Sequence, residues 1–160
     1  YKTGETIPQD LLTKAIAASK FNKGFDTLEY LSAALLDLAW HSLSVDQIPV
    51  DVEAFEAKTL KDFGVDQEVV PPRYRTQYFA HVWSGGYSAS YYAYLWSEVL
   101  AADAFAYMHE RGGLTRTNGQ SFRDLILSKG GSREVMKQYT DFRSQPPKVD
   151  SLLIRRGLKN

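Results

Sequence analysis

A histidine and three tyrosines define the chemistry this sequence can offer. His81, Tyr87, Tyr91 and Tyr94 fall within HVWSGGYSASYYAYLWSE, the tyrosines four and then three residues apart. At roughly 100° per residue, that spacing predicts one stripe of phenols on a single α-helix. Gly85-Gly86 precedes the stripe, and His81 stands six residues before Tyr87. Phenolic donors beside an imidazole suit a site that binds carbonyl oxygens and carboxylates. Two readings of the stripe stay open at this level. Aromatic residues at helical spacing are most often packed core. Three hydroxyls on one stripe, however, cost about 1–3 kcal/mol each when buried without partners, a cost that a polar cleft relieves. The glycine pair allows another chain to approach closely, and serves equally well as a turn into the helix.

The elements that must position these residues read as a succession of helices. Pro8 suits a first helical turn, and DLLTKAIAAS follows with helical apolar spacing. Asp26 and Glu29 resemble a capping box ahead of LEYLSAALLDLAWHSL, which is apolar almost all round and is expected to be buried. Asp51 is expected to cap a third helix carrying Phe55, Leu60 and Phe63 and stopping at Gly64. Pro71-Pro72 enforces an extended crossing before Arg73. The tyrosine helix is predicted from Gly86 or Tyr87 to about Glu110, ended by Gly112-Gly113. Further helices are expected over 121–128, after Ser132, and from Pro146-Pro147 to near Gly157. No alternating strand pattern of convincing length, internal repeat or low-complexity tract appears, so the fold class is all-α.

On a wheel from Tyr87, one side carries Tyr91, Tyr94, Glu98, Ala101, Ala102 and Phe105. The other carries Tyr92, Leu95, Trp96, Val99 and Asp103, so a central helix is expected. His41 and His109 read as structural. Glu98 could orient a tyrosine or meet solvent, and Asp103 could anchor a neighbouring helix. His109-Glu110 opens like a zinc motif, but Gly113 occupies the place of its second histidine. Gly130-Gly131-Ser132 lacks the strand and lysine of a phosphate loop and reads as a helix stop followed by a cap. Arg155-Arg156 reads as solvated surface.

Composition narrows the function classes. The chain has 160 residues, 44% of them hydrophobic, enough for one sizeable core. Lys plus Arg and Asp plus Glu number 19 each, giving a formal net charge of zero. That balance, with no basic patch, argues against a nucleic-acid or anionic-membrane partner. Cysteine is absent, which removes disulfides and thiolate metal sites. No apolar run approaches a membrane span and no signal-peptide pattern opens the chain. The start at Tyr1 in YKTGETIP suggests a fragment or a processed chain.

HVWSGGYSASYYAYLWSEVLAADAF resembles the C-terminal signature of the thimet oligopeptidase family of zinc peptidases. YKTGETIPQDLL, FNKGFDTLEYLSAALLDLAWH and the closing GGS region are similar to it as well, so the resemblance spans nearly all 160 residues. The wording lies nearest the family's bacterial peptidyl-dipeptidase, or dipeptidyl carboxypeptidase, branch. The resemblance implies a mostly helical, two-lobed peptidase with a deep channel around zinc. It makes residues 1–160 the C-terminal helical portion, with the His-Glu-x-x-His signature and a further glutamate upstream. Zinc and that glutamate, held outside this chain, would activate water for attack on a peptide carbonyl. By the same resemblance, Tyr94 donates to the developing oxyanion while Tyr87 and His81 contact it or the substrate backbone. Tyr91, Gly85 and Gly86 would line the channel.

The implied partners are short peptides and the N-terminal portion of the same polypeptide, and the chain alone is expected to be inactive. An apolar face exposed by the missing lobe would favour self-association. The family likeness suggests a bacterial cytoplasmic or periplasmic location. Two rivals stand beside it. One is a non-catalytic helical module binding a peptide or glycan in an aromatic groove. The other is a structural domain whose tyrosines are hydrogen-bonded within the core.

Overall fold

The computed structural model describes residues 2–160, and among them there are helices and no strands. In order these are α1 (Gln9–Ser19), α2 (Lys23–His41), α3 (Val52–Asp62), α4 (Ala80–Trp83), α5 (Ala93–Glu110), α6 (Arg116–Phe122), α7 (Val135–Arg143) and α8 (Asp150–Arg155). Short 3₁₀ turns lie at Val45–Gln47 and Thr76–Tyr78, and a π-turn at Arg123–Leu127 prolongs α6. The residues fall into two compact units. The first ends at Tyr94, inside the first turn of α5, and Leu95–Asn160 form the second.

Several helix ends follow local chemistry. The Asp51 carboxylate accepts the Ala54 N–H at 2.9 Å and starts α3. Gly64, at φ +69°, stops it by letting the Val65 N–H reach the Leu60 carbonyl at 2.9 Å. Gly112 and Gly113 end α5 in the same way, with the Gly113 N–H on the Met108 carbonyl at 2.9 Å. Gly157 (φ +70°) follows α8. The expected capping box at Asp26 does not form. Helix α2 begins earlier, at Lys23, which leaves Asp26 in the first turn, paired with Lys23 at 2.6 Å. A capping box is formed instead at Ser44 and Gln47. Thr115 starts α6 by accepting the Asn118 N–H, five residues before the expected onset. Glu134, rather than Ser132, caps α7.

In the first unit, α2 buries Tyr30, Ala33, Ala34, Leu36 and Asp37, as its all-round apolar sequence requires. Leu36 packs with Leu60 of α3 and Val65, flanked by Leu28 and Leu35. Phe63, which follows the last residue of α3, is exposed. Past Pro71-Pro72, the Arg73 N–H donates to the Glu29 carbonyl at 2.9 Å, which ties the extended crossing to α2. Helix α1 has helical apolar spacing but no buried residue, and Leu11, Leu12 and Ile16 are exposed.

The second unit builds its core on α5. Val99 and Ala102 pack with Leu152 of α8, while Ala104 packs with Tyr139 and Phe142 of α7. Asp103 is fully buried and accepts from Tyr139 Oη at 2.7 Å, Arg143 Nε at 3.0 Å and Ser151 Oγ at 3.3 Å. It is the anchor of neighbouring helices that its sequence position suggested. Trp96 and Phe105 are exposed, so α5 is apolar without being covered on every side. Arg156 is not solvated surface. Its largely buried guanidinium donates to Glu98 Oε2 at 2.6 Å, an ion pair that gives Glu98 its partner.

Candidate functional site

The segment from Thr76 to Tyr94 carries every predicted site residue, and two carboxylates hold its ends. Glu56 of α3, almost fully buried, receives both the N–H and the hydroxyl of Thr76 on Oε2, each at 2.9 Å. Arg75 pairs with its other oxygen. Trp40 Nε1 donates to Thr76 Oγ1 at 3.0 Å, and Trp83 Nε1 donates to the Thr76 carbonyl at 2.7 Å. These bonds fix α4, which carries His81.

Beyond α4 the chain reverses at the two glycines. The Gly85 N–H donates to the Ala80 carbonyl at 2.9 Å. A β-carbon on Gly85 would stand 2.9 Å from both Cα and the carbonyl oxygen of His81, so only glycine fits against this backbone. Gly86 adopts φ +81°, in open space. The Tyr87 N–H then returns to the His81 carbonyl at 3.1 Å, and Ser88 Oγ donates to the Val82 carbonyl at 2.6 Å. The glycine pair thus acts first as a fold-back that brings the Tyr87 ring to within 6.2 Å of the His81 ring.

The single helical stripe of three phenols is corrected here. Helix α5 begins at Ala93, so Tyr87 and Tyr91 lie in the turns before it and Tyr94 alone is on it. The cause is tertiary. Asp37, fully buried on α2, accepts the Ala89 N–H on Oδ1 and the Tyr91 N–H on Oδ2, both at 2.9 Å. Ala89 is held at φ +55°, a left-handed conformation that interrupts a helix. His41 Nδ1 lies 2.8 Å from Asp37 Oδ1, which gives that histidine the structural role expected of it.

The four side chains nevertheless converge. Tyr87 stacks on Tyr94 with centroids 5.2 Å apart and planes at 23°, and Tyr91 meets Tyr94 edge-on at 5.5 Å. The His81 ring lies 5.5 Å from that of Tyr91. Accessibility separates their roles. Tyr94 is 42% exposed, Tyr87 and His81 are half-buried, and Tyr91 is only 3% exposed. Tyr91 belongs to the packed wall beneath, stacked on Tyr30 at 4.9 Å and against Phe79 at 4.8 Å. Its carbonyl accepts from the Tyr30 hydroxyl. Tyr74 adds an edge contact to Tyr91 at 6.1 Å and lies 4.9 Å from His81.

Both flanking phenols are held as neutral donors. Burial pushes the Tyr91 phenol above its usual value, reinforced by Tyr74 and opposed by the positive charge of Arg73. The Tyr94 phenol is raised chiefly by its hydrogen bond with Tyr87, with desolvation second. A donor cluster of this kind can bind a carbonyl oxygen or stabilise an oxyanion. Among the described residues no group of three or more His, Cys, Asp or Glu side chains could hold an ion, so the residues present do not fit a zinc site.

Sequence reasoning passed over Asp37, Tyr30, Tyr74 and Arg73. Asp37 had a usable signal, because a lone acid within LSAALLDLAW must find partners once its helix is buried. Tyr30 and Tyr74 carry none, since their contacts with Tyr91 span long stretches of chain. Arg73 is a cation whose charge acts on Tyr91. Its guanidinium also lies 3.4 Å from Glu29 Oε1.

The pattern described as Peptidase family M3 matches residues 1–158. The chain is 46% identical over 158 residues to dipeptidyl carboxypeptidase of Escherichia coli (strain K12), which covers 99% of the chain and 23% of that relative. It is 47% identical over 156 residues to dipeptidyl carboxypeptidase of Salmonella typhimurium (strain LT2), covering 98% and 23%. To oligopeptidase A of Escherichia coli (strain K12) it is 39% identical over 162 residues, covering 99% and 23%. The chain therefore spans about a quarter of the length of these relatives.

Proposed function

The chain belongs to peptidase family M3, and from that premise we propose that it forms the C-terminal wall of the substrate channel in a longer metallopeptidase acting on short peptides. Release of C-terminal dipeptides is the activity proposed, supported by the identity of 46% and 47% to two dipeptidyl carboxypeptidases. The observation that carries the reading is the Tyr94 phenol, exposed and stacked on Tyr87, whose ring in turn lies beside that of His81. A preorganised neutral donor at such an edge is most effective where charge develops on a carbonyl oxygen. Tyr94 is assigned that task. Tyr87 and His81 bind the substrate backbone, and Tyr91 supports the rings from below while Gly85 and Gly86 shape the turn that presents them.

Peptidases of this family are generally zinc-dependent. Since the described residues do not fit a zinc site, the zinc ligands would come from another part of the polypeptide. This chain's contribution is binding, orientation and stabilisation of negative charge. A bacterial cytoplasmic or periplasmic setting is proposed from the same likeness.

The test is product analysis with the complete enzyme. A peptide with a free C-terminus should lose dipeptides stepwise, read by mass spectrometry. Internal cuts alone would replace dipeptide release with endopeptidase action. Tight peptide binding without any cleavage would favour a non-catalytic peptide-binding module.

A further inference from the structure

We propose that Asp37 is a positioning residue for the tyrosine array, acting with His41 as a latch that fixes where the Tyr87, Tyr91 and Tyr94 rings stand. This inference rests on the functional reading above and names a residue that the reading does not use. The argument begins from geometry. A carboxylate with no exposed surface sits in the middle of an otherwise apolar helix. Burying such a charge is unfavourable unless its acceptor sites are filled. Asp37 fills them with groups from the catalytic segment, the N–H of Ala89 and the N–H of Tyr91, and with the ring of His41.

These two N–H groups flank Ser90 at the turn where the chain takes its left-handed step at Ala89. A helix continuing backward from Ala93 would use the same groups differently and would rotate Tyr87 and Tyr91 away from their present rings. The carboxylate thus selects the turn over the helix. Charge-assisted bonds to backbone N–H groups are stronger than neutral ones, and a fixed carboxylate is rigid in a way a solvated turn is not. His41 closes the arrangement from the partly exposed side, its ring also lying 5.3 Å from that of Trp83. Trp83 belongs to α4, so the same latch touches both flanks of the glycine turn.

The experiment compares variants of the complete enzyme. Asp37→Asn keeps the shape but offers one acceptor and turns an amide N–H toward a backbone N–H. It should lower kcat by about 10- to 100-fold, since displacements of about 1 Å have effects of that size, with a smaller change in KM. Leu36→Ala, one residue away in the buried cluster with Leu60 and Val65, provides the control for lost stability. It should keep kcat at temperatures where it stays folded. Equal turnover of Asp37→Asn and Leu36→Ala relative to wild type would overturn the inference.

If Asp37→Asn does not fold, His41 gives the second arm. His41→Ala should lower kcat more modestly, and His41→Gln, which restores a donor, should recover part of it. An unchanged kcat in His41→Ala would overturn the role of His41 as the closing half of the latch. Amide hydrogen exchange keeps the two readings distinguishable. If the wild-type enzyme cleaves no peptide, the functional proposal fails, yet faster exchange confined to Ala89 and Tyr91 in His41→Ala still supports the latch. Uniform exchange across the first unit would reject it.

Discussion

The ring of Tyr87 lies flat against that of Tyr94, centroids 5.2 Å apart, although one residue sits in an irregular turn and the other in the first turn of a helix. Tyr87 is also the main influence that raises the Tyr94 phenol above its ordinary value. Removing the Tyr94 hydroxyl tests the assigned chemistry without removing the ring. In the complete enzyme, Tyr94→Phe should cut kcat by about 100- to 1000-fold while leaving KM and the unfolding midpoint close to wild type. Unchanged turnover in steady-state assays would take Tyr94 out of the mechanism.

The two glycines should respond unequally to alanine. Gly85→Ala places a methyl group 2.9 Å from His81 main-chain atoms, so backbone must move and His81 with it. A cost of about 1–3 kcal/mol in denaturant unfolding is expected, together with a marked fall in kcat/KM. Gly86→Ala meets nothing in space and faces only the strain of φ +81°, about 1–2 kcal/mol. Its turnover per folded molecule should therefore exceed that of Gly85→Ala.

Alkaline stability should report on the second unit. Burial and then the hydrogen bond to Asp103 raise the Tyr139 phenol well above its ordinary value of 10.0. The folded state therefore binds the proton more tightly than the unfolded chain does. Its stabilisation is fully present below pH 10 and is lost as pH climbs beyond that value. Urea titrations of the chain at pH 9, 10 and 11 should show the decline, and Tyr139→Phe should flatten it. A slope identical in wild type and variant would contradict the assignment.

Helix α1 should drive association when this chain is studied alone. Leu11, Leu12 and Ile16 are exposed along it and no residue of the helix is buried. Sedimentation of the isolated 160-residue chain should show self-association that weakens in a Leu11→Glu, Ile16→Glu variant. A monomer at high concentration would dismiss the idea.

What could be read from the sequence follows the reach of the forces involved. Asp51, Gly64 and Gly112-Gly113 mark helix ends because capping and left-handed turns depend on neighbours a few residues away. The all-α class and the grouping of His81 with the tyrosines were legible for the same reason, through spacing and the family resemblance. The non-helical run before Ala93 was not. It exists because Asp37, more than 50 residues upstream, accepts the Ala89 and Tyr91 N–H groups, and tertiary bonds of that kind override helical periodicity. The partly buried ion pair of Arg156 is invisible to local reading because its partner Glu98 lies 58 residues away. Asp26 looked like a cap because its spacing to Glu29 fits, yet the helix had already begun at Lys23.

The Trp83 indole provides a built-in optical gauge. It sits two residues past His81, anchored through its N–H to Thr76, with the His41 ring alongside. With Trp40, Trp96 and any tryptophan elsewhere in the complete enzyme replaced by phenylalanine, its emission would isolate events at the glycine reversal. Peptide occupancy could then be followed by fluorescence in real time, with no dye attached.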